Sequence, residues 1–141
     1  MKTSARNRFT GTVQAVRPGA VNDEIDLTLT GGLSLSAVIT HASTVSLGLE
    51  PGVEATALIK APWVVLVTDA ESVRFSARNQ FTGTVSRIRR GAVNAVVELS
   101  VSDFAIEAVV TDEAVDELGL AEGGVATALF KASHVILATQ G

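Results

Sequence analysis

The sequence contains no cysteine and no tyrosine, and only 4% of its 141 residues are aromatic. Without cysteine, the chain can form neither disulfides nor thiolate metal sites. Proteins that bind nucleic acid without sequence preference combine aromatic platforms with a basic groove. This chain has five phenylalanines, one tryptophan and a net charge of −4. We therefore expect no nucleic-acid partner, and any anion it binds must be held by a few local groups.

Long apolar segments are also missing. The longest stretch, Ala61 to Val67, is far shorter than the roughly 20 residues that span a bilayer. The first residues, Met-Lys-Thr-Ser-Ala-Arg-Asn, lack the apolar segment of a signal peptide. We therefore expect a cytoplasmic protein without membrane contact.

The chain consists of one sequence written twice. Residues 4–13 recur as residues 76–85 with one substitution, and Gly-Ala-Val-Asn at 19–22 recurs at 91–94. After a one-residue deletion, Leu-Gly-Leu at 47–49 matches 118–120, and residues 55–61 match residues 126–132 with one substitution. A repeat at this period indicates duplicated structural units. We predict a first domain over residues 1–69 and a second over residues 70–141.

Alternating apolar residues predict short strands within each repeat. In the first repeat the strands cover residues 9–15, 25–29, 33–40, 53–60 and 63–68, with one short helix after Thr40 that ends near Gly48. Five strands with a small helix between the third and fourth are typical of an OB-like barrel. The predicted fold class is therefore all-β, with two tandem five-stranded OB-like barrels, each carrying one short helix.

Groups suited to catalysis are sparse. His41 and His134 occupy non-equivalent positions in the repeats, and we interpret both as surface or rim residues. The sequence has no His-Asp-Ser arrangement, no His-x-x-His spacing and no Walker-type glycine loop. We expect no enzymatic activity, no bare metal cation and no organic cofactor. The acidic runs at 112–113 and 116–117 fit an exposed helix face with favourable charge near its start.

Both repeats instead keep hydroxyls, backbone N–H groups and cations at matching positions. Thr40 and Thr111 begin the short helix, where free N–H groups favour an anion. Lys60 and Lys131 are the only lysines besides Lys2. Charge-assisted hydrogen bonds from such groups suit a compact divalent oxyanion. The complete set is Ser4-Ala5-Arg6-Asn7 and Ser76-Ala77-Arg78-Asn79, Thr40 and Thr111, and Lys60-Ala61 and Lys131-Ala132.

Each of these elements also has a purely structural interpretation. The threonines can be simple N-caps, and the lysines can be surface residues whose stems lie along the barrel. The Gly-Ala-Val-Asn segment can be only a turn that suits glycine and asparagine. Duplication preserves structural residues too, so agreement between the repeats does not by itself establish a site.

Four motifs occur in the same order in both repeats: Ser-Ala-Arg-Asn before Phe-Thr-Gly-Thr-Val, Gly-Ala-Val-Asn, Leu-Gly-Leu, and Lys-Ala-Pro-Trp-Val or Lys-Ala-Ser-His-Val. This order resembles the Mop domain, and the tandem copy resembles the di-Mop molbindins, over residues 4–68 and 76–139. The resemblance implies binding of molybdate or tungstate for molybdenum storage and homeostasis. It also implies a homotrimer whose six barrels surround a three-fold axis.

The resemblance implies two classes of oxyanion site. One class joins Ser-Ala-Arg of one barrel to the threonine and Lys-Ala segments of its neighbour. The other class lies near the three-fold axis, where the Gly-Ala-Val-Asn loops present backbone N–H groups. The interface residues are Ser4, Ala5 and Arg6 with Thr40, Ser43, Lys60 and Ala61, and Ser76, Ala77 and Arg78 with Thr111, Lys131, Ala132 and Ser133; the axial residues are Val21, Asn22, Val93 and Asn94.

Two alternatives to storage remain open. One is a module that senses molybdate and signals to a separate partner protein, because the same domain forms the sensor half of molybdate-dependent regulators. The other is an OB-type nucleic-acid binder, which the charge and the scarcity of aromatic residues disfavour. The repeats also differ within the implied sites, since Ser43 becomes Ala114 and Pro62 becomes Ser133.

Overall fold

The computed structural model describes residues 1–140 and confirms the predicted order of elements in both repeats. Each repeat contributes five strands, one six-residue α-helix and one three-residue 3-10 helix. The first repeat contains β1 (Asn7–Arg17), β2 (Asn22–Leu29), β3 (Ser34–Thr40), α1 (His41–Ser46), β4 (Glu54–Ile59), the first 3-10 helix (Ala61–Trp63) and β5 (Val65–Val67). The second contains β6 (Asn79–Arg90), β7 (Asn94–Val101), β8 (Phe104–Thr111), α2 (Asp112–Glu117), β9 (Val125–Phe130), the second 3-10 helix (Ala132–His134) and β10 (Ile136–Ala138).

The strands form two antiparallel five-stranded sheets, and each sheet takes its last strand from the other repeat. The sheet orders are β10-β4-β1-β2-β3 and β5-β9-β6-β7-β8. Ile136 pairs with Leu58 of β4, and Val65 pairs with Leu129 of β9. The first repeat therefore completes the sheet of the second, and the second completes the sheet of the first.

This exchange defines two compact units that cross the boundary between the repeats. Among the described residues, the first unit contains residues 1–59 and 131–140, and the second contains residues 60–130. The predicted domain boundary between residues 69 and 70 separates the two sequence repeats. The compact units divide the chain instead at the end of β4 and the end of β9, because the 3-10 helix and final strand of each repeat belong to the opposite unit.

The first strand of each repeat is long enough to pair with two neighbours. Residues 7–12 of β1 pair with β4, and residues 11–17 pair with β2. A register shift between Val13 and Ala15 lets the strand bend between these partners, as β-bulges do. The same shift lies between Val85 and Arg87 of β6. Each sheet can therefore curl around its core.

Alternating side chains of these strands form the core of each unit. In the first unit the buried set includes Val13, Ile25, Leu27, Leu35 and Ile59. In the second, the ring of Phe81 lies 5.8 Å from that of Phe130 and 6.0 Å from that of Phe104, measured between centroids. The opposite faces of the strands remain polar, as expected for small antiparallel sheets.

The two α-helices are short and sit at the same place in each unit. Each follows the third strand of its repeat and ends before a glycine with positive φ, 65° at Gly48 and 64° at Gly119. Neither helix, nor any other within residues 1–140, is long and apolar enough to cross a membrane.

Candidate functional site

The Gly-Ala-Val-Asn loop of each repeat lies beside the start of its helix. In the first unit Asn22 pairs with Thr40 across β2 and β3, and the His41 N–H donates to the Val21 carbonyl at 3.0 Å. The second unit repeats both contacts, with Asn94 paired to Thr111 and a 2.9 Å bond from the Asp112 N–H to the Val93 carbonyl. We call these regions the Thr40 end (Val21, Asn22, Thr40, Ser43) and the Thr111 end (Val93, Asn94, Thr111, Ala114).

Both threonines act as N-caps of their helices. The Thr40 hydroxyl accepts from the Ser43 N–H at 3.1 Å and donates to the Ser43 hydroxyl at 2.8 Å. The Thr111 hydroxyl accepts from the Ala114 N–H at 3.0 Å, and alanine offers no second hydroxyl. Both threonine residues are nevertheless exposed. Both threonines therefore serve as helix N-caps, and this role leaves them accessible at the surface.

The exchange of final strands changes which lysine accompanies which threonine. The second 3-10 helix, which follows Lys131, packs against β3 and so belongs with Thr40. The first 3-10 helix, which follows Lys60, packs against β8 and belongs with Thr111. Grouping by repeat, with Thr40 beside Lys60, does not hold within the compact units. The units combine Thr40 and Ser43 with Lys131, Ala132 and Ser133, and Thr111 with Lys60 and Ala61.

The Ser-Ala-Arg segments approach the same region of their units. Asn7 pairs with Ile59 on one side of β4, and Ile136 pairs with Leu58 on the other. Residues 4–6 and the second 3-10 helix therefore both extend beyond the same end of β4. In the second unit Asn79 pairs with Phe130 and Val65 with Leu129, which places residues 76–78 and the first 3-10 helix at the end of β9.

Three of the predicted cations carry no carboxylate partner in the described part of the chain. Lys60, Lys131 and Arg6 form no salt bridge within residues 1–140. The Lys60 ammonium lies 5.6 Å from the centre of the Trp63 ring, within the range of a cation–π contact. These positive charges remain available to an anion.

Burial divides the remaining predicted residues into packing and surface positions. Ala61 is 1% exposed and Ala132 is 5% exposed, so each fills the contact between its 3-10 helix and the adjacent strand. Val21 is 73% exposed and Val93 is 70% exposed, although both are apolar. The other predicted residues are exposed or half-buried: Ser4, Ala5, Arg6, Asn22, Ser43, Ser76, Ala77, Arg78, Asn94 and Ser133.

The structure also contains a polar cluster that the sequence patterns did not predict. The buried Asp23 carboxylate accepts from the Gly19 N–H at 3.2 Å and lies 2.9 Å from His41 Nδ1. Its pKa is held below the ordinary aspartate value, chiefly by the Thr44 hydroxyl and also by His41 and Gly19, against the opposing effect of burial. His41 does lie at the rim, with its side chain 58% exposed.

A comparison of the repeats offered a signal for this cluster. The positions that match Asp23, His41 and Thr44 carry Ala95, Asp112 and Val115. Three positions that change together in a duplicated sequence suggest side chains in contact. The second unit ties its strand to its helix differently, through an exposed Arg90–Asp116 ion pair at 2.6 Å. That pair lowers the pKa of Asp116 and raises that of Arg90.

The described part of the chain shows no cluster of three or more acidic or histidine side chains that could hold a metal ion. A surface cavity of about 320 Å³ in the first unit, lined by Met1, Glu54–Thr56 and Ala138–Gln140, includes none of the predicted site residues. The predicted residues instead form open, cationic and hydroxyl-rich surfaces.

The duplicated motifs coincide with two matches to a known domain. The TOBE domain matches residues 3–66 and 76–137. The chain belongs to the TOBE-domain family.

The relatives of this tandem TOBE chain carry names related to molybdenum. It is 51% identical to the molybdenum-pterin-binding protein MopA of Rhodobacter capsulatus over 139 residues, 98% of the chain and 52% of MopA. It is 46% identical to the molybdenum transport protein ModE of Herbaspirillum seropedicae over 141 residues, 99% of the chain and 52% of ModE. The chain thus spans about half the length of these curated relatives.

A solved structure matches the whole length of this TOBE chain. It is the cytoplasmic molybdate-binding protein ModG in a form with molybdate bound, with 53% sequence identity and a TM-score of 0.96. The match covers 99% of this chain and 100% of ModG. The all-β fold with tandem domains and the di-Mop resemblance are therefore confirmed.

Proposed function

We propose that this chain binds molybdate, and tungstate as a dianion of similar shape, for molybdenum storage and homeostasis in the cytoplasm. The observation that carries the proposal is the full-length likeness to molybdate-bound ModG, at 53% identity and a TM-score of 0.96. On this proposal the bound oxyanion is the ligand, and the chain has no catalytic role and needs no organic cofactor.

The chemistry of the two ends supports an oxyanion ligand. Lys60, Lys131 and Arg6 supply positive charges that no carboxylate neutralises within residues 1–140. Thr40 and Thr111 are exposed and pair with Asn22 and Asn94 of the loops in the same units. The Ser43 hydroxyl, which accepts from Thr40, and the Thr111 hydroxyl each keep a hydrogen that can be donated to a ligand. Hydrogen bonds from such donors to a charged oxygen are about twice as strong as neutral ones.

We propose that the complete sites form between barrels of a homotrimer. Two small units leave apolar surface for association, and the exposed Val21 and Val93 would be covered where loops of three subunits meet. Interface sites would join a Ser-Ala-Arg segment to the threonine and lysine of a neighbouring barrel. One half of each proposed interface site is a Ser-Ala-Arg segment, either Ser4, Ala5 and Arg6 or Ser76, Ala77 and Arg78. The other half comes from a neighbouring barrel and is either Thr40, Ser43, Lys131, Ala132 and Ser133 or Thr111, Lys60 and Ala61. The proposed axial residues are Val21, Asn22, Val93 and Asn94.

Dialysis followed by elemental analysis tests the function directly. The purified chain is dialysed against micromolar molybdate with millimolar sulfate, and bound molybdenum is measured per chain. We expect molybdenum well above the dialysate level and no displacement by sulfate. Bound ligand should also stabilise the fold by about 2.7 kcal/mol per site at a hundred times Kd. Molybdenum at the dialysate level, with an unchanged thermal midpoint, would refute the proposal.

Sedimentation tests the assembly separately. We expect a trimer in the molybdate-loaded state at micromolar concentration. A monomer in both the free and the loaded states would contradict the interface sites, even if molybdate bound.

A second candidate function is molybdate sensing within a larger regulatory system. The matches to ModE proteins, which extend well beyond this chain, favour it. Affinity capture with the tagged chain, with and without molybdate, separates the two functions. A specific protein that binds only in the presence of molybdate would favour sensing, and retention of molybdenum without any such partner would favour storage.

A further inference from the structure

Because the final strands are exchanged, the residues that differ between the two repeats are grouped by compact unit and not by repeat. By sequence, the repeats look balanced, because one has a serine at its helix and the other has a serine at its 3-10 helix. In the structure both serines belong to the same unit. The first unit combines His41, Ser43 and Ser133, and the second unit combines the matching Asp112, Ala114 and Pro62.

The first unit therefore gains hydrogen-bonding groups around its Thr40 end. Ser43 sits in the first turn of α1, where its hydroxyl accepts from that of Thr40 at 2.8 Å. Ser133 is exposed on the second 3-10 helix, which packs against β3. The His41 ring is held through Nδ1 by Asp23, and its side chain remains 58% exposed. The Ser43 and Ser133 hydroxyls can each donate a hydrogen to an oxyanion, and His41 differs from Asp112 in bringing no negative charge to the first turn of the helix.

The second unit loses the same groups and gains negative charge. Ala114 has no hydroxyl, and Pro62 has neither a hydroxyl nor a backbone N–H. Asp112 and Glu113 occupy the first turn of α2, directly after Thr111. One carboxylate oxygen of Asp112 is buried and has no hydrogen-bond partner within residues 1–140. A dianion near this turn meets like charge with fewer donors to offset it.

Charged groups elsewhere at the two ends do not reverse this difference. The first unit contains the buried Asp23 carboxylate, but the Gly19 N–H and the His41 ring bond to it within the protein. In the second unit the Arg90 guanidinium of β6 donates a hydrogen bond to the carboxylate of Asp116 in α2. Helix α1 has no acidic residue in its first turn, whereas α2 has two.

We propose that the two units bind oxyanion with unequal affinity, so that the Thr40 end fills before the Thr111 end. The determinants of this order are the residues at positions 41, 43 and 133, against those at 112, 114 and 62. The inference rests on the proposed function. Each donor to a charged oxygen is worth about ten- to a hundred-fold in affinity, so we expect at least a tenfold difference in affinity between the site at the Thr40 end and the site at the Thr111 end.

A helix-turn transplant tests the order. Asp112→His, Glu113→Ala and Ala114→Ser together give α2 the first turn of α1. All three residues are exposed or half-buried, so the fold should tolerate the change. Calorimetric titration with sodium molybdate should resolve the interface sites of the wild type into a tight and a weak class, and the weak class should tighten about tenfold in the transplant.

Trp63 assigns the classes to the units. It is the only tryptophan, and its helix packs against β8 in the second unit. Its emission should follow the weaker class in the wild type and respond to lower molybdate in the transplant. Ser43→Ala should weaken the tight class about tenfold and leave the Trp63 midpoint in place. Glu117→Ala, which removes a charge from the last turn of α2, is the matched control and should shift neither class.

Two results would overturn the inference while leaving the proposed function intact. One is a Trp63 response that accompanies the first molybdate bound to the wild type. The other is a transplant whose affinities equal those of the wild type. A wild-type chain that takes up no molybdate would instead refute the proposed function, and the inference with it.

Discussion

The pairing of Lys60 with Thr111 can be tested by a double-mutant cycle. Lys60→Met removes the ammonium and keeps most of the stem, and Thr111→Val removes the hydroxyl at constant shape. If both groups contact one oxyanion, their effects on binding should be coupled by about 0.5–3 kcal/mol. Lys60→Met combined with Thr40→Val should be additive within about 0.5 kcal/mol, because Thr40 belongs to the other unit.

The magnitude of the single effects follows from the contacts of each group. A charged hydrogen bond contributes about 1.5–3 kcal/mol, so Lys60→Met should weaken its own site about ten- to a hundred-fold. Within residues 1–140, Lys60 forms no salt bridge, and its cation–π contact with Trp63 is worth about 0.5–1 kcal/mol at an exposed position. The fold should therefore lose at most a few degrees of thermal midpoint.

Thr40→Val is the matched control, because both threonines cap a six-residue helix in the same way. Each substitution should cost about 1 kcal/mol of stability through loss of the cap. Calorimetric titration of the three single and two double variants measures the coupling. Coupling of Lys60 with Thr40, and additivity with Thr111, would show that the lysines act by repeat and would refute the grouping by unit.

Three further predictions concern the fold and the assembly. The Asp23 carboxyl, whose pKa is lowered chiefly by the Thr44 hydroxyl, should stabilise the folded protein above the unfolded pKa of about 3.9 and lose that contribution as pH falls through its folded pKa. Between pH 6 and pH 3, the thermal midpoint of the wild type should therefore fall more steeply than that of Asp23→Asn. Parallel curves for the two proteins would contradict this prediction. Gly83→Ala should lower the free energy of unfolding by about 1–3 kcal/mol in denaturant titration, because the added Cβ would overlap the Ser100 carbonyl oxygen. An unchanged midpoint would show that β7 can shift to accommodate the added Cβ. Val93→Asp should dissociate the proposed trimer in sedimentation without unfolding the chain, since the side chain is exposed, and an intact trimer would place the axis elsewhere.

Several features of the molecule are encoded locally and could be predicted from the sequence. Alternation along residues 25–29 fixes which side chains of β2 face the core, and all the predicted strands are present. Thr40 and Gly48 mark the two ends of α1 because capping depends on residues within one turn. The repeat likewise pointed to Thr40 and Thr111, which are exposed, and to Lys60 and Lys131, which form no salt bridge within residues 1–140.

The partner of each strand was decided only in the tertiary structure. Alternation in β5 and β10 specifies a buried face, but that face fits the fourth strand of either repeat, since residues 55–61 and 126–132 differ at one position. Which pairing forms depends on the path of the whole chain, and the observed exchange moves Lys131 to Thr40 and Lys60 to Thr111. The Asp23–His41 contact depends on tertiary structure for the same reason, because it joins a strand to a helix 18 residues away. The sequence alone therefore determined the elements and the candidate residues, and long-range pairing determined which of those residues lie in the same unit.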